Sequence, residues 1–257
     1  GIEEECDSAL MECENFYQGA NTLSWYGAKN GFAINRIVQY RKIKNEIVNA
    51  RTETTSRIIR LNHDPGAGGT TLSRMIAYDL SKDMPVLLLT SYNDRIAPIQ
   101  VSNFYRKVGM SILVVVESAI ISEDELQKFN GELMAKAVPH VILFVSRIGK
   151  RTSSTDDDLR YLVDSEFVEM EEKLAPYLTD DKKTGVKQLL HKQSERYPFF
   201  MAMYAFEERF KGVKDYVEHY LVNINSSDYD TLVYISMVDW FANRALDISF
   251  FNQYEKD

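Results

Sequence analysis

His63-Asp64-Pro65-Gly66-Ala67-Gly68-Gly69-Thr70-Thr71 is the stretch on which the reading of this chain turns. Before it stands Ile58 to Leu61, a short apolar run; after it, Leu72, Met75, Ile76 and Leu80 fall on one helical face. A strand that ends in a glycine-rich turn and opens directly into a helix aims several backbone N–H groups and the positive helix end at one place, which makes an anion site. Glycine lets that backbone curl around phosphate without side-chain obstruction.

The same organisation continues outward. Val86 to Leu89, Ile112 to Val116 and Val141 to Val145 are further short runs of Val, Ile and Leu without polar alternation, the pattern of parallel strands buried on both faces. Their spacing leaves room for crossovers. The third crossover carries a capping box, Ser122 and Glu125, ahead of Leu126, Phe129 and Leu133, and so reads as a helix. A polar stretch from Gly149 to Asp158 then reads as a loop after which strands stop. From about Met170 onward apolar residues recur at helical spacing, with turn signals near Asp180, Tyr197-Pro198 and Gly212. Upstream, the segment from Phe16 to Phe32 is aromatic and contains glycine, and Ile37 to Val48 reads as a helix.

Against the phosphate-loop pattern G-x-x-x-x-G-K-[ST], the loop departs twice: His63 stands at the first Gly and Gly69 at the Lys. The lysine brings positive charge to the β- and γ-phosphates, so its loss should weaken triphosphate binding and slow hydrolysis unless another cation fills in. Thr70 stands where the loop hydroxyl reaches Mg²⁺. His63 reads either as a phosphate contact or as a residue that shapes the turn. Glu117, closing the strand Ile112 to Val116, reads as the acid that acts on the metal through water or serves as base. Arg147, closing the fourth strand, reads as a γ-phosphate sensor that restores part of the missing charge, or as a surface ion-pair residue. Arg74 is expected to face solvent. The aromatic stripe from Tyr197 to Phe210 is expected to be helix core.

Composition narrows the classes. At 257 residues, 45% hydrophobic and 26% charged, the chain has ordinary globular values. Its formal charge of −8 disfavours a broad grip on nucleic acid, which is carried by Lys and Arg. Cys6 and Cys13 lack metal-ligand spacing, and His140, His191 and His219 are scattered, so no metal cluster is legible. The cysteine usage fits a reducing, cytoplasmic setting. No apolar run approaches the roughly 20 residues that span a bilayer. The start at Gly1 suggests a piece of a larger protein.

Pro65-Gly66-Ala67-Gly68-Gly69-Thr70-Thr71-Leu72 resembles the phosphate loop of the sterile-alpha-motif-domain-containing antiviral proteins, whose STAND-type P-loop NTPase domain likewise has Gly-Gly-Thr-Thr where lysine is usual. Phe16-Tyr17-Gln18-Gly19 with Ser24-Trp25-Tyr26 is similar to the segment preceding that domain. Ile34-Asn35-Arg36 resembles the short motif near the adenine, and Tyr197-Pro198-Phe199-Phe200 with Tyr204-Ala205-Phe206-Glu207 the helical segment whose Pro couples nucleotide to the lid. The resemblance covers most of residues 16 to 220. It implies a nucleotide-controlled switch inside a multidomain defence protein, with Arg36 and Pro198 among the nucleotide-binding residues.

The sequence therefore predicts an α/β fold: a P-loop NTPase three-layer domain with a parallel sheet, followed by a helical lid. Residues 1–55 would form an N-terminal flank, 56–155 the core and 156–257 the lid. The ligands would be ATP or ADP with Mg²⁺, held by Arg36, Pro65, Gly66, Ala67, Gly68, Gly69, Thr70, Thr71 and Pro198, with Thr70 and Glu117 at the metal and Glu117 and Arg147 in catalysis. The expected partners are other domains of the parent chain and a nucleotide-dependent homo-oligomer, with no membrane. The alternative is a nucleotide-free scaffold for protein interaction.

Overall fold

In the computed structural model, residues 11–53, 56–148, 158–189, 196–206, 218, 221–222 and 224–242 are described. Residues 11–17 are helical. The elements that follow are α1 (Trp25–Lys29), α2 (Ile37–Thr52), β1 (Arg57–His63), α3 (Gly69–Leu80), β2 (Val86–Leu89), α4 (Ala97–Val108), β3 (Ile112–Glu117), α5 (Glu123–Ala135) and β4 (His140–Arg147). Among the described residues the helices after the sheet include α6 (Asp164–Leu174), α7 (Asp180–Leu189), α8 (Pro198–Phe206) and α9 (Ser226–Ala242), with a 3₁₀ turn at Ala175–Tyr177.

All four strands are parallel, in the order β1-β4-β3-β2. A parallel neighbour requires a crossover, and helices supply each one, so both faces of the sheet are covered. The side-chain period of two then divides each strand between two cores. Leu113 and Val115 of β3 pack with Ile43 and Ile47 of α2 and with Leu72, Ile76 and Leu80 of α3. Ile112, Val114 and Val116, the alternate residues, pack with Val101 of α4 and with Leu126, Phe129 and Leu133 of α5. These are the three layers of a P-loop NTPase fold, with the loop between β1 and α3 at the carboxyl ends of the strands.

Two crossover helices have clear local causes. Ser122 accepts a hydrogen bond from the Glu125 amide at 3.4 Å, while Glu125 Oε2 accepts from the Ser122 amide at 2.9 Å, so the capping box at α5 forms as read. Helix α4 was not legible as a helix; it starts with Pro98 in its first turn and stops at Gly109, the arrangement of a fixed start and a left-handed end.

The strands run further than their apolar runs. Asn62 and His63 continue β1 against Ser146 and Arg147, because pairing depends on backbone groups and tolerates polar side chains at the sheet edge. Among the described residues no strand follows β4, as expected, and a single bridge extends the pairing beyond it. Leu159 forms a parallel bridge with His63, its amide donating to Asn62 O at 2.8 Å and its carbonyl accepting from Asp64 N at 2.9 Å. Most of the polar stretch before it, residues 149–157, lies outside the described residues, as do Cys6, His191, Gly212, His219 and the 207–210 end of the aromatic stripe.

The third core belongs to the helices beyond the sheet. Phe167, Met170 and Leu174 of α6, Val186 of α7, and Met201, Ala202 and Ala205 of α8 close on Tyr17 and Ile34 from the N-terminal flank. The flank and the helical half therefore share one core. Among the described residues no helix is long and apolar enough to cross a membrane.

Phe129 is fully buried and meets the Tyr92 ring edge-on at 5.9 Å. Phe129→Ala is expected to lower stability by about 3–5 kcal/mol, read as a shift of the urea midpoint at unchanged slope.

Candidate functional site

The β1–α3 loop is built to leave its amides open. Gly66 and Gly68 have φ of 79° and 89°, in the left-handed region that side chains disfavour, and this double reversal turns the chain into α3. Gly68 caps that helix without any side-chain hydrogen bond. The first amides of α3, at Gly69, Thr70 and Thr71, therefore have no intrahelical acceptor and no capping oxygen. A cavity of about 420 Å³ lies against them, a volume within the range of small-molecule sites.

The cavity gathers what the sequence scattered. Pro65, Gly66, Ala67, Gly68, Gly69, Thr70 and Thr71 line it from the loop, Glu117 from the end of β3 and Arg147 from the end of β4. Pro198 arrives from the start of α8. The rest of its lining includes Arg36, His63 and Ser118, and an apolar part with Tyr17, Ile34, Met170 and Ala202 from the shared third core. Open amides, a hydroxyl, a carboxylate and a cation in one cavity with apolar side chains suit a ligand with a polyanionic tail and a flat apolar body. As a donor set this fits a nucleotide with Mg²⁺. Among the described residues no cluster of three His, Cys, Asp or Glu side chains stands ready for a metal. A divalent ion here would accordingly need oxygens from the ligand, as Mg²⁺ usually does.

Arg36 is placed differently from the simple expectation. It lines the cavity wall, but its side chain is buried and turned into the protein. Nη1 donates to Ala67 O at 3.0 Å; Nη2 donates to Arg160 O at 3.0 Å and Tyr161 O at 3.1 Å. Nε sits 3.1 Å from Glu166 Oε2, an ion-pair distance whose angle is poor for a hydrogen bond. Burial lowers the pKa of the guanidinium while Glu166 pushes it back up. Arg36 thus clamps the loop to the segment before α6. Beside it, the Asn35 amide donates to Glu169 at 3.1 Å, so the Ile34-Asn35-Arg36 stretch is held from two sides.

Arg74 does not face solvent. It is half-buried, and Nη1 donates to Leu23 O at 3.0 Å, because the flank folds over α3 and offers a carbonyl there. Phe199, expected in helix core, is half-exposed and packs on the loop: a Cβ at Gly66 would stand 3.2 Å from its own Cβ. Its amide lies 3.4 Å from Gly66 O. The neighbouring Tyr197 hydroxyl donates to Asp64 Oδ2 at 2.7 Å. Burial, then the Asp64 contact, pushes the Tyr197 pKa up to about 12, which keeps that proton in place. These contacts press the start of α8 onto the loop, and only Pro198 among them was marked by sequence.

His63 is buried at the end of β1 with Nδ1 2.9 Å from Asp64 O. Its ring covers Gly69 closely: a Cβ on Gly69 would meet Cγ and Cδ2 inside any real contact distance and Nε2 at 2.7 Å. The two positions where the loop departs from the consensus therefore touch. Their coincidence in one motif was the available signal, but sequence does not show that they meet.

Compared with protein families and with curated proteins, the sequence matches none. Among solved structures it is similar to a chain of Drosophila ORC bound to DNA, at TM-score 0.47 and 10% identity over 67% of this chain and 54% of that one. It is also similar to C. elegans PCH-2, at TM-score 0.42 and 12% identity over 62% of this chain and 49% of that one. The chain spans about half the length of each. The fold assignment rests on the strand order and the loop described above.

Arg36→Ala leaves Glu166 buried without its cation and frees three carbonyls; it is expected to cost about 3–5 kcal/mol in urea unfolding. Arg36→Lys should not restore this, since one ammonium cannot serve the fork of acceptors. Burial lowers the pKa of both His63 and His140, so the unfolded chain binds more protons at these sites than the folded one in mild acid. Their contribution to stability is accordingly complete above about pH 6.5 and falls as pH drops through that value. Thermal melting in a pH series checks it.

Proposed function

We propose that this chain is a nucleotide-binding regulatory module, a STAND-like switch that takes ATP or ADP with Mg²⁺ in the cavity at the β1–α3 loop. The observation that carries the reading is the set of uncapped amides from Gly69 to Thr71 opening on a cavity that also holds Glu117 and Arg147. The amides and the positive end of α3 hold the polyphosphate. The Thr70 hydroxyl and the Glu117 carboxylate would be the protein oxygens that hold Mg²⁺, which would supply charge neutralisation of the phosphates. Arg147 lies where a guanidinium reaches a terminal phosphate. Tyr17, Ile34, Met170 and Ala202 receive the base. Arg36 acts through the loop it clamps.

With Gly69 in place of lysine, hydrolysis is expected to be slow, and regulation falls on binding. The start of α8 packs on the loop, so a ligand there acts on the α8 contact directly. It shifts the equilibrium between lid positions only by binding them unequally. Placement in a larger antiviral or innate-immune protein of the cytoplasm, with a nucleotide-dependent homo-oligomer, is the finer form of this proposal and rests on the resemblance in the loop. One observation favours a protein-docking role for the helical half: α9 exposes Tyr229, Val233, Tyr234, Ile235 and Met237, an apolar set suited to another domain of the parent chain.

Calorimetric titration with MgADP and MgATP tests the reading. Thr70→Ala is expected to weaken the Mg²⁺-loaded nucleotide about tenfold and the metal-free form less, while Glu117→Gln retains binding and removes residual turnover. Absence of heat at millimolar nucleotide would leave the scaffold as the surviving reading.

A further inference from the structure

We infer that His63 Nε2 is the side-chain phosphate contact that joins the loop amides, delivered from the end of β1 toward the place that a lysine on the first turn of α3 serves in the consensus. This rests on the nucleotide reading above and names the residue that makes it workable without the lysine.

The geometry begins with an exclusion. A side chain at position 69 would start inside the imidazole of His63, since even its Cβ would lie 2.7 Å from Nε2 and closer to Cγ and Cδ2. Lysine at 69 and the present His63 ring are therefore mutually exclusive. Glycine at 63 and lysine at 69 would match the G-x-x-x-x-G-K-T consensus, and this chain departs at both positions and nowhere else in that pattern. The two departures are one exchange: bulk and a nitrogen group leave the helix and enter from the strand. The ring that takes the space stands beside the open amides and lines the same cavity.

The tautomer decides what His63 offers. A carbonyl oxygen only accepts, so Nδ1, 2.9 Å from Asp64 O, carries a proton and donates it. In the neutral ring Nε2 then carries a lone pair, on a side chain that lines the cavity; in the cation it is a second N–H donor with positive charge. Among the described residues no hydrogen bond takes Nε2. A polyphosphate beside it favours the cation, so binding draws a proton from solvent onto Nε2. Burial holds the free ring neutral, which makes the charge appear when the anion does.

The groups around the ring agree with this balance. Arg147 from β4 opposes its protonation; Glu117 from β3 and Asp64 from the loop favour it. Helix α3 contributes only the neutral Thr70 and Thr71 in its first turn. Tyr197, before α8, stays protonated and bound to Asp64. The segment at Leu159 brings Asp158 and Arg160, whose charges face each other at 3.9 Å. Phosphate is the added anion that tips the ring.

The test uses MgADP with the whole chain. Wild-type affinity is expected to rise as pH falls from about 8 to about 6, and His63→Ala to bind about tenfold more weakly at the lower pH with a flatter profile. The comparison between the two profiles removes the nucleotide's own titration. His63→Gly with Gly69→Lys should recover affinity with no histidine-dependent slope, while Gly69→Lys alone should lose binding because the ring bars the side chain. As a measurement on the unaltered chain, ¹⁵N spectra of its four histidines should show one Nε2 gaining a proton when MgADP is added at about pH 7. If the wild type binds MgADP but His63→Ala keeps its affinity and pH profile, or no histidine Nε2 responds, the role of His63 is overturned while the nucleotide reading stands. If the wild type gives no binding at either pH, both fall.

Discussion

The Arg36 guanidinium holds the site together. It reaches Ala67 in the phosphate loop, Arg160 and Tyr161 in the segment leaving the sheet, and Glu166 in α6. Three parts of the chain that are distant in sequence meet on one planar group. The arrangement is costly to assemble, because a buried cation loses its hydration and is repaid only where every direction finds an oxygen. Once assembled, it fixes the loop against the helical half. The loop amides can then face a ligand without being rearranged to do so, since the turn is held from behind at the Ala67 carbonyl.

From the front, α8 holds the same loop. Tyr197 ties to Asp64, Phe199 packs on Gly66 and Pro198 approaches Gly68. These contacts are fewer and more exposed than those of Arg36. The loop is thus held by Arg36 on one side and covered by the start of α8 on the other. In the switch proposed above, the turn would hold the phosphates and α8 would respond to them.

The α/β architecture was legible because burial on both faces leaves a plain mark, continuous runs of Val, Ile and Leu separated by crossover lengths. Ile112 to Val116 and Val141 to Val145 fall inside β3 and β4 for that reason. The loop was legible through its glycines, Glu117 and Arg147 as cavity residues through their places at strand ends, and Pro198 through the family resemblance. Helix α4 was not, since Ala97 to Val108 mixes polar and apolar residues without a cap of the usual kind. Arg36 was marked, but for contact with nucleotide instead of for the carbonyls it meets. Arg74 was set toward solvent because helical periodicity cannot know that Leu23 lies beside it.

Sequence by itself determined where the strands lie, where the glycine-rich turn joins strand to helix, and that the usual lysine is missing, because these depend on local pattern and on the identity of single residues. Tertiary structure alone decided what occupies the space beside Gly69. His63 and Gly69 are six positions apart and look like two independent losses; only folding β1 and α3 back to back puts the imidazole over the glycine and leaves room for one side chain between them. Contact across a turn depends on backbone dihedrals at Gly66 and Gly68, and a string of letters shows that such dihedrals are allowed but not which side chains they bring together.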